Sequence, residues 1–450
     1  MQTTEISRKA AAMMPDLVKQ LEDLVAIPSI AFPGYPAESV HEMARVTLQK
    51  FRDVGFSNAE LMPVPSGYPP IYGEIPGPPD SPVVMLYAHY DVQPAPVEQG
   101  WVSDPWTATR KEDGRIYGRG ANDDKAGLIT HLGTMRIFDG KPPCTVRLVL
   151  EGMEETESNL EEFVRAHPYI FDCDLFVVCD MGNLHVGEPV LTTTLRGDVA
   201  CVVTVKTLLH PLHSGVFGGP APDAMMALAR LLSTLHDDQG DVAVKGVSQG
   251  TWAGADLSEQ EFSAAADLVD GAGLVGTGPV GERLWARPSV SAIGVDMTTI
   301  AGSSNVLIPE ARAKLSMRIV PDSDPDAELD ALVEHLQTHA PWGATVEVER
   351  TKAAPAFRCR TDGPAYAAAR EAMTEAFGRP TGEAGSGGSI PLLGTLQQVA
   401  PQAEFILWGP EDVAAARIHA SDESVDPDEI EKMVVSQALL LTKLARSDDR

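Results

Sequence analysis

The apolar run VVMLYAH ends at His89, and Asp91 follows two residues later. RIYGRGANDDKAG presents Asp123 and Asp124 in a glycine-punctuated loop, and TVRLVLEG leads into Glu154 and Glu155. DLFVVC ends at Asp180, and His419 stands late in the chain in RIHASDES. Each has an ordinary explanation alone. A histidine at a strand end is commonly just polar surface. An aspartate pair beside glycines makes turns, and a glutamate pair suits the positive end of a helix dipole. What they share is position, since most of them come where an apolar run stops. Two imidazoles and several carboxylates gathered at one edge suit a borderline divalent cation, zinc first, manganese or cobalt next.

Such a gathering needs a fold in which those runs end on one side. Apolar residues at helical spacing run from Met14 to Ile27, and a second helix extends to about Val54. The short strands IYGEI, VVMLYAH, TVRLVLEG and DLFVVC then alternate with the helices LITHLGTMRIF and EEFVRAH. This pattern predicts an α/β domain whose mostly parallel sheet is covered by helices on both faces. Ligands bind at the C-terminal edge of such a sheet. Near Arg196 the pattern changes. DVACVVTVKT alternates like a half-exposed strand, ARAKLSMRIVP and ATVEVERTK are further strands, and PDAMMALARLLSTLHDD and DAELDALVEHLQTHA are helical. The expectation is a smaller α+β lid domain inserted at 197–356, within a catalytic domain made of residues 1–196 and 357–450. Between the helix AYAAAREAMTEAF and the strand AEFILWG the chain reads as a glycine-rich loop.

The 450 residues are too many for one ordinary core. A formal charge of -29 argues against a nucleic-acid partner, which needs Lys and Arg to displace counterions. The five cysteines form no C-x-x-C pair, which suits a reducing cytosol. The N-terminal stretch has no apolar core of a signal peptide. No apolar run is long enough to span a bilayer, so a cytoplasmic location without a membrane partner is expected.

The strings YAHYDVQP, GRGANDDKAG, EGMEE, VVCD, LHSGVFGG, GSGGSIP and IHASDE occur in this order. Together they resemble the two-metal peptidase family of carnosinase-type dipeptidases, glutamate carboxypeptidase, succinyl-diaminopimelate desuccinylase and aminoacylase. The resemblance covers nearly the whole chain, and YAHYDVQP is most similar to the dipeptidase branch. It implies two divalent cations per subunit. His89 and Asp180 are then ligands of one, Glu155 and His419 of the other, and Asp123 bridges them. Asp91 orients His89, as ligating imidazoles generally require. The implied reaction is hydrolysis of a peptide (amide) bond by a water activated between two cations. Glu154 is the implied general base, passing the proton to the leaving amine. The residues themselves leave open which of Glu154 and Glu155 is the base; only the resemblance puts it first. One departure is Glu157, where the family has Gly, and a position needing φ > 0 would strain it. Asp422 stands where related sequences often carry Asn.

On the substrate side, the resemblance assigns His213 to the scissile carbonyl oxygen, reaching across from the partner subunit in dimeric members. Asn305 and Arg318 resemble substrate contacts, and the planar fork of Arg318 suits a free carboxylate. Gly388 and Ser389 are loop donors for the same group. No Lys-Ser/Thr follows the glycines, so this is not a phosphate-binding P-loop. The expected activity is that of a metallo-dipeptidase or carboxypeptidase acting on dipeptides or small peptides. An N-acyl amino acid deacylase with the same site is the alternative, and a non-catalytic metal-binding scaffold a third. Retention of Glu154 beside every ligand argues against the scaffold. A homodimer through the inserted domain is expected, with DVACVVTVKT as the exposed edge strand that a second copy covers.

Overall fold

The computed structural model describes residues 2–156, 158–388 and 390–447. Helix α1 (Thr3–Val25) buries Ile6, Ala10, Met14, Leu17, Leu21 and Leu24, three or four residues apart, as one apolar stripe. Helix α2 (Ala37–Asp53) leads to strands β1 (Glu60–Leu61), β2 (Ile71–Ile75) and β3 (Val83–His89). Helix α3 (Lys125–Ile137) starts at Asp124, whose carboxylate accepts the Gly127 N–H at 3.1 Å. Strands β4 (Thr145–Glu151), β5 (Leu175–Val178), β6 (Val190–Leu195) and β7 (Gly197–Lys206) follow. Next come α4 (Ala224–Leu232), β8 (Ser289–Asp296), β9 (Glu310–Ile319), α5 (Pro325–Thr338) and β10 (Thr345–Ala354). The chain ends with β11 (Phe357–Arg358), α6 (Pro364–Phe377), β12 (Gly382–Ser386), β13 (Glu404–Leu407) and α7 (Pro427–Ser447).

Among the described residues the larger sheet has nine strands in the order β1-β2-β4-β3-β5-β13-β6-β11, with β12 also paired to β6. Its centre, β4, β3, β5 and β13, is parallel, and antiparallel pairs lie toward the margins. Central parallel strands are covered on both faces, which is why VVMLYAH is apolar nearly throughout. Helices α1, α3, α6 and α7 share one apolar cluster with Val84, Leu86 and Leu148. On the other face Met85, Tyr87 and Phe176 pack with Phe163, Leu392 and Leu396.

The second sheet is fully antiparallel in the order β8-β9-β7-β10. Val199, Cys201, Val203 and Val205 of β7 pack on one face with Leu228 of α4 and Leu332 of α5. The alternation of DVACVVTVKT reports this one-sided cover. It does not report an edge. Contrary to the expectation above, β7 is an inner strand between β9 and β10, and the edges are β8 and β10. A second correction concerns the glycine-rich stretch. It contains β12, which runs parallel to β6, and it is followed by a helix at Pro391–Val399 that the sequence reading missed.

Candidate metal centre

Parallel neighbours β3 and β5 end side by side, and their last residues point to one edge. His89 is the final residue of β3, and Asp180 lies two residues beyond β5. β4 ends at Glu151, and the turn after it carries Glu154 and Glu155. Asp123 precedes α3, and His419 comes from the loop between β13 and α7. Segments almost 300 positions apart thus meet: His419 Nε2 lies 3.0 Å from Asp123 Oδ2.

The two oxygens of Asp123 divide the site. Oδ1 is 2.8 Å from His89 Nε2, while Oδ2 faces His419. His89 Nε2 is also 3.8 Å from Asp180 Oδ1, and His419 Nε2 is 3.1 Å from Glu155 Oε2. The potential ligand atoms of His89, Asp123 and Asp180 lie within 4.8 Å of one another, as do those of Asp123, Glu155 and His419. Two groups of imidazole nitrogen and carboxylate oxygen sharing one carboxylate fit a pair of divalent cations. These are the five residues expected as ligands, in the expected groupings.

Buried carboxylates position these groups through backbone amides. Asp91 accepts the N–H groups of Glu154 and Glu155, both at 3.1 Å, and so fixes the turn presenting them. His89 Nδ1 is 3.0 Å from the Asp91 carbonyl oxygen and 3.4 Å from its carboxylate. Asp91 therefore serves both the imidazole and the glutamate turn. Asp124 accepts the His89 N–H at 3.1 Å. Glu423, fully buried, accepts N–H bonds from Gly120, Asn122 and Asp123 at 2.9–3.0 Å and a 2.7 Å bond from Arg119 Nη1. Gln93 donates to Glu155 Oε2 at 2.7 Å. Glu151 accepts from the Tyr87 hydroxyl at 2.6 Å and from Ser158. Asp124, Glu423, Gln93 and Glu151 lie inside the motif strings, but the sequence reading gave them no role. Arg417, His419 and Asp422 all take positive φ, between 53° and 62°, a backbone conformation that side-chain-bearing residues rarely adopt.

Crowded acids and imidazoles perturb one another. Burial opposes the His419 imidazolium, but bonds to Asp123 and Glu155 outweigh it and push its pKa up to about 10. His89 is likewise raised, burial being overcome by Asp123 and Asp91. Burial, then the charges of Glu155, Asp123 and Glu151, push Glu154 up to about 8 against the pull of His89. Asp180 is raised by burial, with Asp124, Asp123 and Glu154 adding to it.

The expected substrate contacts lie elsewhere. His213 caps a single helical turn in the second-sheet region, is exposed, and sits across a strand pair from Val306. Asn305 is beside it, its carbonyl accepting the Ser214 N–H at 2.9 Å. Neither has a hydrogen bond or ion pair with the metal cluster among the described residues. Arg318 is on β9, in register with Ser289 and Asp198. Gly388 is exposed just past β12. Ser389 and Glu157 lie outside the described residues.

The model of peptidase family M20/M25/M40 matches residues 85–443. The chain belongs to this family. Like other M20 peptidases it is a metal-dependent hydrolase. It is 39% identical to the cysteinylglycine-S-conjugate dipeptidase of Corynebacterium striatum, over 80% of this chain and 81% of that protein. It is 28% identical to the Beta-Ala-His dipeptidase of Rattus norvegicus, over 87% of this chain and 86% of the relative. The crystal structure of human carnosine dipeptidase 1 superposes with a TM-score of 0.79 at 25% identity, covering 99% of each chain.

Two outcomes follow from this M20 centre. Glu423→Gln leaves Arg119 buried without its counter-charge and turns an NH2 toward the amides it should accept. A loss of ~3–5 kcal/mol in urea denaturation is expected, with weakened metal retention by elemental analysis; a variant equal to the parent in both would contradict the role given to Glu423. Cation uptake needs the lone pair that His419 gives to a proton below about pH 10. Metal loading of stripped protein at pH 8 should therefore release protons, visible with an indicator dye in weak buffer, and affinity should fall with pH. Loading without proton release would show that the imidazoles are already neutral.

Proposed function

We propose that the protein is a two-metal dipeptidase that hydrolyses the amide bond of dipeptides with a free carboxylate, using Glu154 as general base. The observation that carries this reading is the Asp123 carboxylate shared by two ligand groups, with the Glu154 turn held beside it by Asp91. Two bound divalent cations supply Lewis acidity that makes water nucleophilic near neutral pH and polarises a carbonyl. Asp123 joins the two halves, and Glu155 and His419 complete one half while His89 and Asp180 complete the other. Glu154 takes the proton of the attacking water and returns it to the leaving amine. Its lifted pKa reflects burial first and then the neighbouring carboxylates, whose charge bound cations would offset. The relatives from Corynebacterium striatum and Rattus norvegicus are dipeptidases, which favours a dipeptide over an N-acyl amino acid. The mixed nitrogen and oxygen ligands favour zinc. All five cysteines are free, which fits a reducing cytoplasm.

The decisive experiment is hydrolysis of a panel of dipeptides and N-acyl amino acids, with and without chelator. Chelation should abolish dipeptide cleavage, and zinc, manganese or cobalt should restore it. Full activity in exhaustively metal-free protein, or activity on N-acyl substrates alone, would defeat the reading. In the same assay Glu154→Gln should retain metal and lose ~10²-fold or more in turnover, whereas Glu155→Gln should lose metal from one half of the site.

Residues 197–356 are proposed as the lid and dimerisation unit. The support is strand β8, an edge strand whose Ile293 and Val295 are 58% and 52% exposed. An unpaired apolar edge is normally covered, here by the same strand of a second copy. His213 would then complete the partner's site. Mixing inactive His213→Ala chains with inactive Glu154→Gln chains under subunit exchange tests this. Mixed dimers would have one site lacking both groups and one intact, so activity should reappear. No recovery, or a monomeric mass at assay concentration, would overturn the arrangement.

A further inference from the structure

The link between the two sheets is one residue long. β6 ends at Leu195 and β7 begins at Gly197, which makes Arg196 the link. Its N–H donates to the Ser386 carbonyl at 3.1 Å, at the end of β12. The residue is only 8% exposed. Nη1 donates to Ser289 Oγ at 3.1 Å and more weakly to the Arg287 carbonyl at 3.4 Å. Nη2 lies against the glycine loop: a Cβ on Gly387 would be 3.0 Å from it. Nε has no hydrogen-bond partner.

Every partner of this buried cation is neutral, and among the described residues it forms no ion pair. The charge that bears on it is of its own sign. Ser289, which it bonds, is the register partner of Arg318. Burial first, and then Arg318, lower the Arg196 pKa to about 10. The carboxylate two residues on, Asp198, bonds Lys352 Nζ at 2.8 Å and Ser316 Oγ at 2.6 Å, and its charge bears on its register partner Arg318 and not on Arg196. A purely structural pin would not need a guanidinium here, since Nη1 alone makes both of its side-chain bonds. Burying an unpaired charge beside a like charge is expensive unless an anion joins them.

We infer that Arg196 is a second guanidinium of the substrate's carboxylate pocket, closing with Arg318 on a free C-terminal carboxylate beside the Gly387–Gly388 loop. The inference rests on the dipeptidase reading and goes beyond it by naming the residue that sets the preference for a free over a blocked C-terminus. A carboxylate between two planar forks accepts charge-assisted bonds from both and removes their repulsion. Because Arg196 also bonds Ser289 of the second sheet, the same anion would fasten that sheet to the end of β12.

The test compares a dipeptide that the metal-loaded enzyme cleaves with its C-terminal amide. In Arg196→Gln the ratio of kcat/KM for acid over amide should fall about tenfold or more, mainly through KM of the acid. Arg318→Gln serves as the reference. If the parent enzyme cleaves no dipeptide, the dipeptidase reading fails and this inference with it. If Arg318→Gln loses the preference while Arg196→Gln keeps it, this inference alone is overturned. Equal losses on acid and amide would also overturn it, because they indicate a structural role. Should Arg196→Gln not fold, Arg196→Lys takes its place. It keeps the charge without the fork, and an intermediate ratio is expected; a ratio equal to that of the parent would sink the proposal.

Discussion

Glu423 holds its buried carboxylate against the amides of Gly120, Asn122 and Asp123 and the guanidinium of Arg119. Those bonds close a loop of some 300 residues, and without that closure Asp123 and His419 have no reason to meet. A carboxylate accepting several amides is worth more than one facing water, because the amides would otherwise be buried donors without acceptors. The Arg119 pair supplies the balancing charge, which makes burial of the carboxylate tolerable. Metal-ligand geometry in this chain is thus inherited from a non-ligand.

The same device recurs around the centre. Asp91 gathers the amides of Glu154 and Glu155, and Asp124 gathers those of His89 and Gly127. Each acid fixes backbone, so the side chains it presents keep their lone pairs for other work. The consequence is a dense negative site. The neighbouring carboxylates raise the pKa of His89 and His419 against the effect of burial, and burial followed by neighbouring charge lifts Glu154 to about 8. Folding therefore leaves an electrostatic need at the sheet edge that divalent cations meet. Strain points the same way, since His419 reaches Asp123 from a left-handed backbone position that its surroundings must impose.

Much of this was legible in the sequence, for physical reasons that also explain the failures. VVMLYAH and DLFVVC are apolar nearly throughout because parallel central strands are buried on both faces, so their ends, and hence His89 and Asp180, could be placed. The spacing of α1 was equally plain. The edge position of β7 was not. Alternation records which face is buried, and nothing in it records whether the strand's own hydrogen bonds are shared on both sides. Gly382–Ser386 looked like a loop because glycine is poor in strands, yet parallel pairing with β6 supplies bonds that propensity does not count. The part played by Glu423 was hidden for a different reason. It sits inside the HASDE string that also holds His419, and its partners Arg119, Gly120, Asn122 and Asp123 come from a segment distant in sequence.

Chain connectivity and packing draw the border of the smaller unit in different places. The chain crosses between the sheets at Arg196, and it returns between Ala354 and Phe357. Leu235 and Val244, just after α4, still pack with the second sheet, but the later part of the stretch before β8 packs on the larger one. Leu257, Val280 and Trp285 share an apolar cluster with Leu184, Val190 and Ala384. The Ala255 N–H donates to the Glu383 carbonyl at 2.7 Å. Gly385 can carry no side chain because Trp285 lies where its Cβ would be. Asp267 of this stretch pairs with Arg417, two residues from His419. A hinge at Arg196 alone would have to break this packing to move the second sheet as one body. The same stretch is also tied to the second unit, since Thr277 donates to Asp241, Arg287 pairs with that carboxylate and the Gly276 N–H donates to the Gln239 carbonyl. Residues 250–288 therefore bind the two sheets to each other and, through Asp267, support the His419 loop.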